Sequence, residues 1–408
     1  MTMNLAILTG LLNLSKNWDD SKMDFISSAD IKNKTILLRE DLNSEVVNGK
    51  VLMSERIRQG AEVIKSLKNK GAKIVVIAHQ GRPGEKDFTS LKQHAKLLNK
   101  IVKIRFVPDI IGKRSEKEIK GLKSGEAILL ENIRNLKDEF KLKGENKFIS
   151  KLSEWCDIYV NDAFSVCHRE QASVTLFPKY MKSYAGPLLE KEVNALRKIN
   201  LKNCLFILAG AKPDDNMMLL NKNKVLACGL FGQMCLLARG KNLGAQNLYL
   251  KKNISGYDLS IKELKAKLNK MGNLVETPVD FAVKANGKRK ELLLEEFPSK
   301  YEIYDIGKNT QEKFANEIKK AKSIYMKGPA GFYSDNKFFG GTRALLKAIS
   351  QSRGFSILGG GQLSDAIAKS RISPKKFGYI SLSGGALLQY LAGKKLPGLE
   401  ALGFYREK

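Results

Sequence analysis

From Lys34 onward, short apolar runs of strand length alternate with longer segments in which apolar residues recur at helical spacing. The runs lie at 36–38, 74–77, 104–107, 128–130 and 158–160, then at 205–208, 225–228, 279–283, 323–326, 355–358 and 379–380. Uninterrupted apolar runs mark strands of a parallel sheet, because helices cover both of its faces. Helix-period segments such as 54–67, 309–320 and 335–350 stand between them. Strand and helix in alternation predict an α/β chain with open parallel sheets. So many strands exceed one compact sheet, so two Rossmann-like three-layer α/β/α domains are expected. The seam is placed at 177–200, where Pro178, Gly186 and Pro187 give way to a charged helix over 188–199. The expected domains are 23–186 and 187–387, with a ligand cleft at the strand ends between them.

Composition narrows the class. The chain has 408 residues, 43% hydrophobic and 28% charged, which is globular composition and too apolar for a disordered chain. No stretch reaches the ~18 apolar residues of a membrane span. Lys and Arg number 71 against 42 Asp and Glu, a net charge of +29. Such an excess attracts nucleic acid, anionic lipid or anionic substrates. The lysines are scattered, however, and form no like-charged block, so a compositional habit explains most of them. Five widely spaced Cys without a C-x-x-C pair, and only three His, suggest neither a disulfide framework nor a zinc site. A reducing cytoplasm fits this cysteine usage. Residues 1–22 hold a short apolar run at 5–14 with no preceding Lys or Arg. That makes a poor signal peptide, and an extra amphipathic helix or an early start ahead of Met23 is expected instead.

The chemistry lies just after the strands. No G-x-x-x-x-G-K-[ST] loop and no G-x-G-x-x-G after a strand is present, so the P-loop and dinucleotide readings lose their main support. In the N-terminal half the strands lead into Arg39-Glu40-Asp41-Leu42-Asn43, His79-Gln80-Gly81-Arg82, Glu131-Asn132-Ile133-Arg134 and Asn161-Asp162-Ala163-Phe164, then His168-Arg169. Arg56 follows on the next helix. Strand ends of a parallel sheet converge on one edge, and guanidinium forks there suit carboxylate and phosphate. In the C-terminal half the turns are glycine-rich: Ala209-Gly210-Ala211-Lys212, Lys327-Gly328-Pro329-Ala330-Gly331, Gly359-Gly360-Gly361 and Ser383-Gly384-Gly385-Ala386. Bare backbone N–H groups at helix starts bind phosphate, and Lys212 adds a point charge. An anion pocket in one half and a phosphate site in the other imply phosphoryl transfer with domain closure.

These strings resemble phosphoglycerate kinase from about Asp24 to the C-terminus. The likeness runs through LLREDLN (37–43), AHQGRPG (78–84), LLENIR (129–134), VNDAFSVCHR (160–169), AGPLLEKEV (185–193), AGAKPDDN (209–216), TPVD (277–280), KGPAGF (327–332), FSILGGG (355–361) and SGGALLQYLAGKKLPGLEAL (383–402). The length and the KPDDN string look closer to archaeal members. The resemblance implies the two-domain hinge-bending fold, with residues after about 388 packing back on the first domain. It implies reversible phosphoryl transfer between 1,3-bisphosphoglycerate and ADP, giving 3-phosphoglycerate and ATP with Mg²⁺. Asp41, Asn43, Arg56, His79, Arg82, Arg134 and Arg169 match the family's 3-phosphoglycerate site. On the nucleotide side the matching positions are Gly210, Lys212, Lys327, Gly328, Pro329, Gly359, Gly360, Gly361 and Gln362. Arg56, Lys212 and the N–H groups of Gly360 and Gly361 are expected to carry catalysis. A monomer without a nucleic-acid or membrane partner is expected.

The departures from the family all fall on the nucleotide side. Asn216 stands where most members carry a second phosphate lysine, Lys327 replaces the Asn of the NGP string, and Ser334 replaces a ribose-binding Glu. Gln362 replaces the Asp that helps hold Mg²⁺, so no metal ligand is assigned. Two alternatives stay open at this point: a member with weakened nucleotide use acting as a binding protein, and a kinase of a related acyl phosphate.

Overall fold

The computed structural model describes residues 23–210 and 212–405. The expectations for 1–22, and for Ala211, lie outside the described residues. Among them two compact units are found, one of 23–194 with 395–405 and one of 195–394. The change of unit falls inside the helix Pro187–Lys198.

The strands of the first unit are β1 (Thr35–Arg39), β2 (Val46–Val47), β3 (Lys50–Val51), β4 (Lys73–Ile77), β5 (Arg105–Phe106), β6 (Ala127–Leu129), β7 (Ile158–Asn161) and β8 (Ser183–Ala185). Six of them form a sheet in the order β5-β6-β4-β1-β7-β8, parallel throughout. Period-two alternation divides their apolar residues between two cores. Ile36, Leu38, Ile74 and Val76 pack on one face with Ile57 and Ile64. Leu37, Val75, Ile77 and Tyr159 pack on the other with Phe148 and Phe177. Helix Glu55–Asn69 starts where the Ser54 hydroxyl accepts from the Ile57 N–H at 3.3 Å. The chain end returns to this unit: the Gly398 N–H donates to the Cys167 carbonyl at 2.8 Å. A Cβ on Gly398 would stand 2.7 Å from Val174.

The second unit holds β9 (Cys204–Leu208), β10 (Val225–Ala227), β11 (Val275–Glu276), β12 (Asp280–Ala285), β13 (Lys288–Leu293), β14 (Ile303–Ile306), β15 (Ser323–Lys327), β16 (Phe355–Gly359) and β17 (Tyr379–Ser381). Its six-stranded parallel sheet runs β11-β10-β9-β15-β16-β17. One expectation is corrected here: the run at 279–283 is not a strand of the parallel sheet. It forms β12 of a separate antiparallel sheet in the order β13-β12-β14. The cause is the Asn286-Gly287 turn, whose φ angles of +49° and +73° close a two-residue hairpin. Helix Gly384–Leu391 stays within 195–394, so the return to the first unit involves the residues from 395 onward.

Candidate functional site

At the carboxyl edge of the first sheet, the polar residues after β1, β4, β6 and β7 are tied into one framework. The Arg56 Nε lies 3.2 Å from Asp41 Oδ2, and its Nη1 donates to the Asn43 carbonyl at 3.0 Å. Asn43 Oδ1 accepts from the Gly81 N–H at 2.8 Å, joining the β1 and β4 turns. Ser165, after β7, donates to the other side of this framework through Asp41 Oδ2.

Beneath it lies Arg39, fully buried at 0% exposure. Its Nη2 meets His79 Nδ1 at 3.1 Å and its Nε donates to Ser173 Oγ at 3.2 Å. Arginine only donates, so His79 accepts at Nδ1 and carries its proton on Nε2. Burial, with Arg39, Arg134, Arg169 and Arg56 around it, holds the His79 pKa well below the usual imidazole value. His79 is therefore a neutral donor. Arg134 is buried, bonds the Gly81 carbonyl through Nη1, and leaves Nη2 without a partner among the described residues. Burial and the neighbouring Arg169 and Arg39 lower its pKa to about 10. Like charges held this close, with a buried N–H unused, can accommodate an anion. Arg82, Pro83, Arg134, Phe140, His168 and Arg169 line an open cavity of about 460 Å³ there.

A buried acid pair adjoins this edge. Asp162 Oδ1 accepts from the N–H groups of Leu188 and Leu189, at 2.6 and 2.9 Å, in the first turn of helix Pro187–Lys198. Glu40 lies against Asp162, and burial followed by the Asp162 charge pushes the Glu40 pKa well above the ordinary value near 4.5. Burial also lifts Asp162, to about 6. A proton on Glu40 can then be donated to Asp162. Both folded values exceed the unfolded ones, so this contribution to stability is full in acid and is lost as pH rises through the folded values. Glu40→Gln keeps a donor without the titration. Its melting temperature should fall less steeply than wild type between about pH 5 and 8; a melting series with identical slopes would reject the shared proton.

In the second unit the glycine turns come together as bare backbone. Gly210, Gly229 and Gly328 have φ of +85°, +56° and +75°. A Cβ on Gly328 would lie 2.9 Å from the Ala209 carbonyl and the Gly210 nitrogen, so only glycine fits. Gly360, φ +110°, caps helix Gly361–Ser370, and a Cβ on Gly360 or Gly361 would meet nothing within 4 Å. This start of a helix is thus open backbone, a setting in which N–H groups can bind phosphate. Gly359 differs: it ends β16, and a Cβ there would stand 3.1 and 3.3 Å from Leu387 and Tyr325, tight contacts in which those side chains would have to give. Pro329 follows Gly328 in a loop that opens no helix directly. Lys212 is exposed beside these turns. Lys327 ends β15, with Nζ 3.1 Å from Asp215 Oδ2 and from Asn216 Oδ1.

For Mg²⁺, no group of three or more His, Cys, Asp or Glu that could hold a metal occurs among the described residues. Gln362 is exposed in the first turn of helix Gly361–Ser370 and offers a neutral oxygen. That donor set fits an ion held mainly by nucleotide phosphates, with Gln362 able to bond a metal-bound water.

The structure thus brings Asp41, Asn43, Arg56, His79, Arg82, Arg134 and Arg169 to one sheet edge. It brings Gly210, Lys212, Lys327 and Gly328 to another. Sequence reasoning did not select Arg39, Glu40 or Ser165 for the site. Alternation places Arg39 on the Leu37 face of β1, a signal that it is buried rather than at the surface.

The sequence model of one protein family, phosphoglycerate kinase, matches residues 26–394. The phosphoglycerate kinase of Sulfurisphaera tokodaii is 40% identical over 403 residues, covering 94% of this chain and 96% of that one. That of Methanothermus fervidus is 37% identical over 395 residues, covering 91% and 95%. Among solved structures, phosphoglycerate kinase from Pyrococcus horikoshii superposes with a TM-score of 0.85 at 35% identity, covering 94% of this chain and 99% of that one. The enzyme from Coxiella burnetii gives a TM-score of 0.75 at 30% identity, covering 93% and 99%.

Proposed function

The chain belongs to the phosphoglycerate kinase family, and from that premise we propose that its two sheet edges divide the substrates of the reaction between them. The enzyme transfers a phosphoryl group reversibly between 1,3-bisphosphoglycerate and ADP, giving 3-phosphoglycerate and ATP. The observation that carries the division is the gathering of Arg39, Arg56, Arg134 and Arg169 around a neutral His79, with Arg82 beside Arg134 and Arg169. Such a set suits a small ligand with several negative charges. In this reading, residues 23–186 hold 3-phosphoglycerate through Asp41, Asn43, Arg56, His79, Arg82, Arg134 and Arg169. The unit of 195–394 holds ADP or ATP at Gly210, Lys212, Lys327, Gly328, Pro329, Gly359, Gly360, Gly361 and Gln362.

In the direction that consumes ATP, a carboxylate oxygen of 3-phosphoglycerate attacks the γ-phosphorus. The bond from that phosphorus to the β–γ bridging oxygen breaks, and ADP leaves with the electron pair. The carboxylate is already ionised at neutral pH, so no general base is required. Catalysis reduces to alignment and charge stabilisation. Arg56 serves the acyl-phosphate end, and Lys212 with the Gly360 and Gly361 N–H groups serves the nucleotide phosphates. When bound with the nucleotide, Mg²⁺ supplies neutralising charge at those phosphates. No helix among the described residues is long and apolar enough to cross a membrane. We place the enzyme in the cytoplasm as a monomer without a nucleic-acid partner.

Arg82 tests the assignment with little risk to folding, since its side chain is two-thirds exposed. Arg82→Ala should raise KM for 3-phosphoglycerate by ~10-fold or more through loss of a charged hydrogen bond, leaving KM for ATP near wild type. A shift in KM for ATP with no change for 3-phosphoglycerate would reverse the assignment.

A further inference from the structure

We propose that Lys327, Asn216 and Asp215 form a latched cation for the nucleotide phosphates, in which Asp215 holds the Lys327 ammonium until a phosphate oxygen replaces it. The inference rests on the nucleotide reading of 195–394 and adds to it a counter-ion and a coupling between positions 216 and 327.

Lys327 is held firmly at its backbone. It ends β15, which lies between β9 and β16, and its carbonyl accepts from the Ala209 N–H at 2.8 Å. Its side chain is only 14% exposed. The Asn216 amide is buried and oriented, because its Nδ2 donates to the Ala209 carbonyl at 3.0 Å, which turns Oδ1 toward Lys327 Nζ. Asn216 thus gives the ammonium a neutral acceptor that stays in place. Asp215 is different, with a side chain 45% exposed and Oδ2 at 3.1 Å from Nζ. An exposed carboxylate binds an ammonium weakly and is exchangeable.

An ammonium has three N–H donors, and these two contacts leave one without a partner among the described residues. Burial is the main influence disfavouring the Lys327 charge, Asp215 offsets it, and the nearby Lys212 ammonium adds a smaller push in the same direction as burial. Two cations beside the bare backbone of Gly210 and Gly328 form a surface for successive phosphates. Asp215 occupies one of the places those phosphates would take.

Two consequences separate this from a purely structural ion pair. Removing the Asp215 charge should strengthen nucleotide binding, because a competitor is lost. Position 216 should tolerate Lys only when Lys327 is removed, because a second ammonium beside the first would stand at close range in a partly buried site. The test is titration calorimetry of ADP into the full chain, with a melting curve and KM for 3-phosphoglycerate recorded for each variant. Lys327→Asn should weaken ADP binding by ~10-fold or more, and Asp215→Asn should tighten it by about 3-fold or more. Asn216→Lys should weaken binding, and the double variant Asn216→Lys/Lys327→Asn should return to within about 3-fold of wild type. KM for 3-phosphoglycerate should stay unchanged throughout. Unchanged or weaker binding in Asp215→Asn, or a double variant no better than the worse single one, would overturn the proposal. So would a Lys327→Asn variant with a lowered melting temperature and normal ADP affinity. Wild-type chain that binds no ADP would defeat the nucleotide reading itself, and the latch with it.

Discussion

Arg56→Ala should lower kcat by ~10²–10³ and leave the melting temperature close to wild type, as expected for removal of one donor that stabilises transition-state charge. The Arg56 side chain is half-buried and lies outside the hydrophobic cores. It sits in the first turn of helix Glu55–Asn69, and that helix is capped by Ser54. Its side chain is 30% exposed and meets the site framework at Asp41 Oδ2 and the Asn43 carbonyl. Truncation leaves no orphaned buried charge, because Asp41 still accepts from the Ser165 hydroxyl and from the Asn43 N–H. A rise in KM alone, with kcat near normal, would remove Arg56 from the catalytic set. Steady-state kinetics beside a melting curve separate these outcomes.

Lys212→Ala should produce a loss of the same order, ~10²–10³ in kcat, from the nucleotide side. Lys212 is exposed, beyond the Ala209–Gly210 turn. Its neighbour Lys327 is partly buried and already engaged by Asp215 and Asn216. The two lysines should therefore divide in their kinetics. Loss of Lys327 should appear mainly in nucleotide affinity, and loss of Lys212 mainly in kcat. Equal effects of both variants on KM for ATP alone would mean that Lys212 only binds.

The parallel sheets were legible because a strand covered on both faces reads as an unbroken apolar run, as in TILLR of β1, where all five residues are buried. The antiparallel sheet was not. In β13, KRKELL, only Leu292 is buried, so the strand reads as a charged connection. The Asn286-Gly287 turn was the one local signal for it. Short edge strands such as β8 and β11 are equally silent, at three and two residues. Of the site, the arginines after the strands could be selected because they repeat. Arg39 and Glu40 stand in the same string, but their burial depends on Ser173, Glu139 and Asp162, which arrive from distant parts of the chain. The exchange of charge between positions 216 and 327 could be suspected from sequence. Only the 3.1 Å contact places the ammonium against the Asn216 amide.

The most direct measurement is a coupled assay of the purified, folded full-length chain with 3-phosphoglycerate, Mg²⁺ and either ATP or GTP. The account predicts turnover that depends on 3-phosphoglycerate, is supported by ATP, and falls together with Arg56 or Lys212. A folded sample with no turnover on either nucleotide would contradict it.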